Sequence, residues 1–72
     1  MFALFTVDGL DQICGTVTDM RREARDLSRT GFDVWFYELA DDFDVESWVD
    51  ENPDKRPGGA NVKGSGKVRA AD

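Results

Sequence analysis

The side chains in this chain best placed to do chemistry are carboxylates. Glu38, Asp41, Asp42, Asp44, Glu46, Asp50, Glu51 and Asp54 fall within 17 residues that contain no Lys or Arg. Carboxylates at this density can hold a hard cation, share a proton as an acid–base pair, or attract a basic surface. A calcium loop needs a central Gly and a distal Glu at fixed spacing. Asp41, Asp42 and Asp44 have neither, so no metal is expected here. Histidine is absent and Cys14 is the only cysteine. That excludes a histidine-activated nucleophile, a usual zinc site and an intrachain disulfide. No enzyme and no cofactor are expected. What remains for the carboxylates is electrostatics. They form a solvated face, a docking strip for a basic protein surface or, if their spacing imitates phosphates, a nucleic acid mimic.

Two further surfaces could bind. Trp35, Tyr37 and Trp48 are residue types that anchor protein interfaces. Trp35 and Tyr37 share one face of a strand, and Trp48 with the short helix around it could fold back to cover them. Arg22, Arg25 and Arg29 recur at helical spacing, with Arg21 beside them. They read as a solvated helix face or a secondary site for an acidic partner, including a second copy of the chain. Cys14 has no basic neighbour in sequence to lower its pKa and reads as an inert strand residue.

These residues need a scaffold. Phe2-Ala3-Leu4-Phe5-Thr6-Val7 is apolar on both faces, as a central strand is. Asp8-Gly9 follows, a favoured pair for a two-residue hairpin loop, and Gln12–Val17 alternates as a second strand. Thr18 would cap a helix carrying Met20, Ala24 and Leu27 inward, with Arg22–Asp26 and Asp26–Arg29 pairs outward and Gly31 ending it. A rival reading runs one helix from Leu10 to Thr30 along the stripe Leu10, Ile13, Val17, Met20, Ala24, Leu27. The segment Ile13-Cys14-Gly15-Thr16-Val17-Thr18 speaks against it, since all are middling or poor helix formers. Phe32–Leu39 is an aromatic and β-branched strand. Asp44 caps a short helix, with Phe43 and Trp48 at the spacing of a hydrophobic staple, and Asn52-Pro53 stops it.

The expected fold is therefore α+β: a three-stranded antiparallel sheet, ββαβ in order 2-1-3, with one helix on one face, a short C-terminal helix and a disordered tail. Residues 1–54 form the single domain and 55–72 the tail. A chain of 72 residues holds one domain at most and has modest stability unless a partner helps. Charge is uneven along it. Residues 1–54 carry fourteen acids against four arginines, and residues 55–72 carry five bases against Asp72. The acidic body would repel a phosphate backbone, so it is not expected to bind nucleic acid directly. No stretch is long enough to span a bilayer, and Met1–Val7 lacks the basic flank of a signal peptide. The cytoplasm is the expected compartment.

The order of elements, with Thr18-Asp19 opening the helix and Gly31-Phe32-Asp33-Val34 entering an aromatic strand, resembles small phage-encoded accessory proteins. Over residues 2–39 it is similar in layout to the T7-type phage inhibitors of bacterial RNA polymerase. That resemblance implies a small protein that binds and inhibits or redirects a larger host enzyme. The expected function is thus an acidic protein-binding module for a partner with a basic surface. A nucleic acid mimic and a homodimeric interaction module are the alternatives.

Overall fold

The computed structural model describes residues 1–69. Its elements are β1 (Phe2–Thr6), β2 (Gly9–Cys14), α1 (Val17–Arg29), β3 (Val34–Leu39), α2 (Val45–Glu51), a 3₁₀ turn (Gly59–Asn61) and β4 (Val62–Val68). The four strands form one antiparallel sheet in the order β2-β1-β3-β4. The expected three-stranded sheet with a short C-terminal helix and a disordered tail is therefore wrong, since a fourth strand follows α2. Residues 62–68 are a full edge strand on β3, and only residues 70–72 of the expected tail lie outside the described chain.

β1 is central, and its side chains divide between two cores, as the alternation of a strand dictates. Leu4 joins Cys14, Met20, Ala24 and Val34 under α1. Ala3 and Phe5 join Leu39 and Val45 on the opposite face, where α2 packs. α1 and α2 thus cover opposite faces of the sheet. α2 reaches that cluster through Val45 and Val49. Trp48 instead lies edge-on to Phe43, with ring centroids 5.9 Å apart, so it serves as the staple and not as the cover.

Three local expectations change. The hairpin loop is Val7-Asp8, because Thr6 pairs with Gly9 and Phe5 with Leu10. Neither loop residue has a positive φ; the Gly9 that follows them does, at 111°, and it is the first residue of β2. The Asp8 amide donates to Thr6 Oγ1 at 3.2 Å, which holds the turn without a mirror-image backbone. The cap of α1 is Thr16, two residues earlier than expected. Its Oγ1 accepts the Asp19 amide at 3.1 Å, and Asp19 stands in the first turn, where the helix dipole favours an acid. Arg22 pairs with Asp19 at 2.8 Å and Glu23 at 3.7 Å, not with Asp26. The end of α1 is a Schellman motif. Gly31 takes φ 101°, its amide donates to the Ser28 carbonyl, and the Phe32 amide donates to that of Leu27.

Candidate functional site

The carboxylates singled out in the sequence do not form one surface. Glu38 lies on the α1 side of β3, opposite Gly64, in a groove with Arg21 and Arg25. Asp41 is engaged by Lys63 at 3.0 Å, and this hydrogen-bonded ion pair holds its carboxyl below the usual range. Asp44 is the cap of α2. It accepts the Ser47 hydroxyl at 2.9 Å and the Ser47 amide at 3.3 Å, and these bonds lower its pKa. Asp42, Glu51 and Asp54 are exposed.

Glu46 and Asp50 have a different setting. They line a groove between α2 and β2, together with Asp8 and Asp11 of the hairpin. Leu10, Ile13, Val49 and Pro53 complete its apolar part, and no basic residue lines it. Asp8 and Asp11 were missed in the sequence because they stand more than thirty residues from Glu46. The hairpin register of the fold is what brings them there. The slip between the pairs Leu4–Gln12 and Phe5–Leu10 leaves Asp11 as the extra residue of a bulge on the edge strand β2. Among the described residues, no three His, Cys, Asp or Glu side chains are placed to hold a metal ion. The groove is a region of negative field and not a chelate.

The aromatic pair is partly occupied by the fold itself. Trp35 and Tyr37 are half-buried on the face opposite α1. Tyr37 stands edge-on to Phe5 at 5.3 Å, and burial raises its hydroxyl pKa. Lys67 Nζ lies 4.8 Å over the Trp35 ring, and Lys67 also pairs with Asp33 at 3.4 Å. With Val7, Asp54 and Arg56 the two aromatics line a small recess.

The arginines separate as well. Arg22 is held by its own helix, and Arg29 sits exposed in the last turn of α1, where the dipole favours it. Arg25 joins Arg21 on the wall of the groove between α1 and β4. That groove could not be read from the sequence, because its far wall is the strand that looked like a tail.

The fold also rearranges the charge. β4 returns Lys63, Lys67 and Arg69 to one edge of the sheet, while Asp8, Asp11, Glu46 and Asp50 gather at the opposite edge. Among the described residues, no helix is long and apolar enough to cross a membrane. No family model matches the chain, and neither the curated proteins nor the solved structures yield a match to it.

Proposed function

We propose that this chain is a protein-binding module of inhibitor or modulator type, which docks its acidic corner on a basic surface of a larger enzyme in the cytoplasm. The observation that carries this reading is the groove in which Asp8, Asp11, Glu46 and Asp50 converge from two elements with no base among them. Solubility alone does not call for such placement. Glu46 and Asp50 are four apart on α2, where like charges cost a few tenths of a kcal/mol. Asp50 and Glu51 stand in a last turn that holds no basic residue, where the helix dipole disfavours acids. A seven-residue helix that carries these costs concentrates negative field at one corner, and such local rule-breaking is typical of functional surfaces. Leu10, Val49 and Pro53 offer apolar area between the charges. The resemblance of residues 2–39, read from the sequence, to phage inhibitors of RNA polymerase points to the same class of action.

The test compares the wild-type chain with two charge-reversed variants, Glu46→Lys with Asp50→Lys and Asp8→Lys with Asp11→Lys, as baits in a bacterial lysate. The wild type should retain a partner that both variants lose and that moderate salt elutes. Circular dichroism of each variant checks that the fold persists. Capture of the same proteins by all three baits, indifferent to salt, would end this reading. Duplex DNA that displaces the captured partner would convert it to nucleic acid mimicry.

A further inference from the structure

β4 is an outer strand of the sheet, so one row of its backbone amides and carbonyls has no strand beside it among the described residues. The register slips between the pairs Glu38–Gly64 and Leu39–Val62, which leaves Lys63 as the extra residue of a bulge. Beyond the bulge, Gly64–Val68 runs straight against β3.

The two faces of this free edge differ sharply. On the α1 side lies an open groove of about 700 Å³, with apolar walls from Val17, Met20, Ala24, Phe36 and Val68. It reaches the strand itself, since a Cβ at Gly64 would meet nothing within 4 Å. Arg21 and Arg25 stand on its helical wall, and Glu38 is the one acid among the described residues that line it. On the other face are Ser65 and Lys67, with Lys63 at the bulge. Lys63 and Lys67 are about half exposed, and their ion pairs with Asp41 and Asp33 are surface pairs that an incoming acid can replace at little cost.

A strand added beside β4 would send alternate side chains to these two faces. Those on the α1 side would enter an apolar groove flanked by arginines, and those on the other side would meet Lys67 and Lys63. We propose that the β4 edge takes an extended segment of another protein, alternating apolar and acidic residues, as a fifth strand. A second copy of the chain is a poor occupant. Antiparallel pairing of two β4 strands about Ser65 would set Lys63 of one copy opposite Lys67 of the other, and like charges directly opposite oppose pairing. This surface is distinct from the acidic corner, which lies at the other edge of the sheet.

The probe is the capped heptapeptide Glu-Val-Glu-Leu-Glu-Val-Glu, with Lys-Val-Lys-Leu-Lys-Val-Lys as its control. Amide resonances of the full chain are followed during titration with each. The acidic peptide should shift Gly64, Gly66 and the rest of β4 together with Met20 and Ala24, and should slow hydrogen exchange along β4. The basic peptide should leave these signals in place. Gly64→Leu, which fills the groove where space is open, should weaken binding about tenfold by removing an apolar pocket. Lys63→Glu with Lys67→Glu should reverse the preference, so that the basic peptide binds and the acidic one does not. The reversal is read on a chain whose other resonances stay unchanged, so loss of fold cannot mimic it. Equal binding of both peptides by the wild type would overturn the proposal, as would shifts confined to the α2–β2 corner. A dimer in sedimentation that the peptide fails to displace would assign the edge to a second copy instead.

Discussion

Gly66 lies directly under the ring of Phe36: a Cβ built on it would stand 2.5 Å from Phe36 Cζ and 2.7 Å from Cε1. Phe36 belongs to the partly buried shell of the α1 core, and it pairs across the sheet with Gly66 itself. The absence of a side chain on β4 therefore leaves the space that the tip of an aromatic ring of β3 occupies. Gly66→Ala should force the ring from its place and destabilise the chain by about 1–2 kcal/mol, as overpacking does. Gly64→Ala, on the same face with nothing within 4 Å, should be neutral or stabilise by about 0.5 kcal/mol through lost freedom of the unfolded chain. Urea unfolding of the two variants checks the contrast. Equal losses would show that β4 tolerates no Cβ on that face for some other reason.

The same pair explains why β4 was hidden in the sequence. Lys63-Gly64-Ser65-Gly66-Lys67 has none of the β-branched or aromatic residues by which a strand is usually read, and its glycines imitate a flexible tail. Its only reason to be a strand is tertiary, namely the ring of Phe36 and the free edge of β3. Elements that carry their own signal were legible. β1 shows apolar residues on both faces because it is buried on both. α2 shows its Asp44 cap and its Phe43–Trp48 staple because both are short-range. The hairpin loop was misplaced by one residue because Gly9 supplies a positive φ just after the loop and not within it. Of the candidate site, the sequence displayed Glu46 and Asp50 but not Asp8 and Asp11, since proximity across a groove leaves no trace in spacing. It could not show that Asp41 and Asp44 are engaged by Lys63 and Ser47.

Thr16 and Thr18 separate the two placements of the α1 start. Thr16 accepts the Asp19 amide with its hydroxyl, whereas Thr18 is an exposed residue of the first turn. Thr16→Ala should cost about 1 kcal/mol, the usual loss for a cap. Thr18→Ala should change stability by less than about 0.5 kcal/mol, since it touches no such feature. Thermal unfolding of both variants is enough to decide. A larger loss at Thr18 would move the helix start.

The pH profile of stability should have limbs of different origin. Burial, reinforced by the charges of Glu23 and Asp19, pushes the Cys14 thiol above its ordinary value of 9.0. Burial likewise raises Tyr37 above 10.0, against a smaller opposing pull from Arg56. The folded chain therefore holds both protons more tightly than the unfolded chain. Their contribution is complete below the ordinary values and is lost as pH rises through the folded ones. Asp41 and Asp44 act in the opposite sense. Their carboxyls are lowered from 3.8, so their contribution is present above that value and disappears as pH falls through the folded ones. Urea midpoints should be flat between about pH 5 and 8 and fall on either side. Tyr37→Phe should make the alkaline limb shallower and leave the acid limb alone. An alkaline limb of unchanged slope would exclude Tyr37 as its source.

Cys14 should also report opening of the α1 core. It is buried at 6% exposure with its thiol kept protonated, so a thiol reagent at pH 8 should label it only through unfolding. Labelling should accelerate in urea in step with the unfolded fraction. Prompt labelling of the native chain would mean that the end of β2 opens locally and more easily than the rest.

Arg56 fastens the segment between α2 and β4 to the start of the chain. Its guanidinium donates to the Thr6 carbonyl, fifty residues away in sequence, at 2.9 Å and lies 5.0 Å over the ring of Phe5. This contact shortens the path that the chain must close before β4 can reach β3, so its loss should fall unevenly on the sheet. Arg56→Ala should destabilise the whole chain by about 1–2 kcal/mol, through the lost hydrogen bond and the lost cation–ring contact. Hydrogen exchange should accelerate more along β4 than along β1 and β2, because β4 depends on the fastened segment for its place. Arg56→Lys should recover only part of the loss, since a single ammonium cannot stack on Phe5 and reach the Thr6 carbonyl with the same fixed fork. Uniform acceleration across all four strands would show that Arg56 supports the core alone and that β4 pairs without its help.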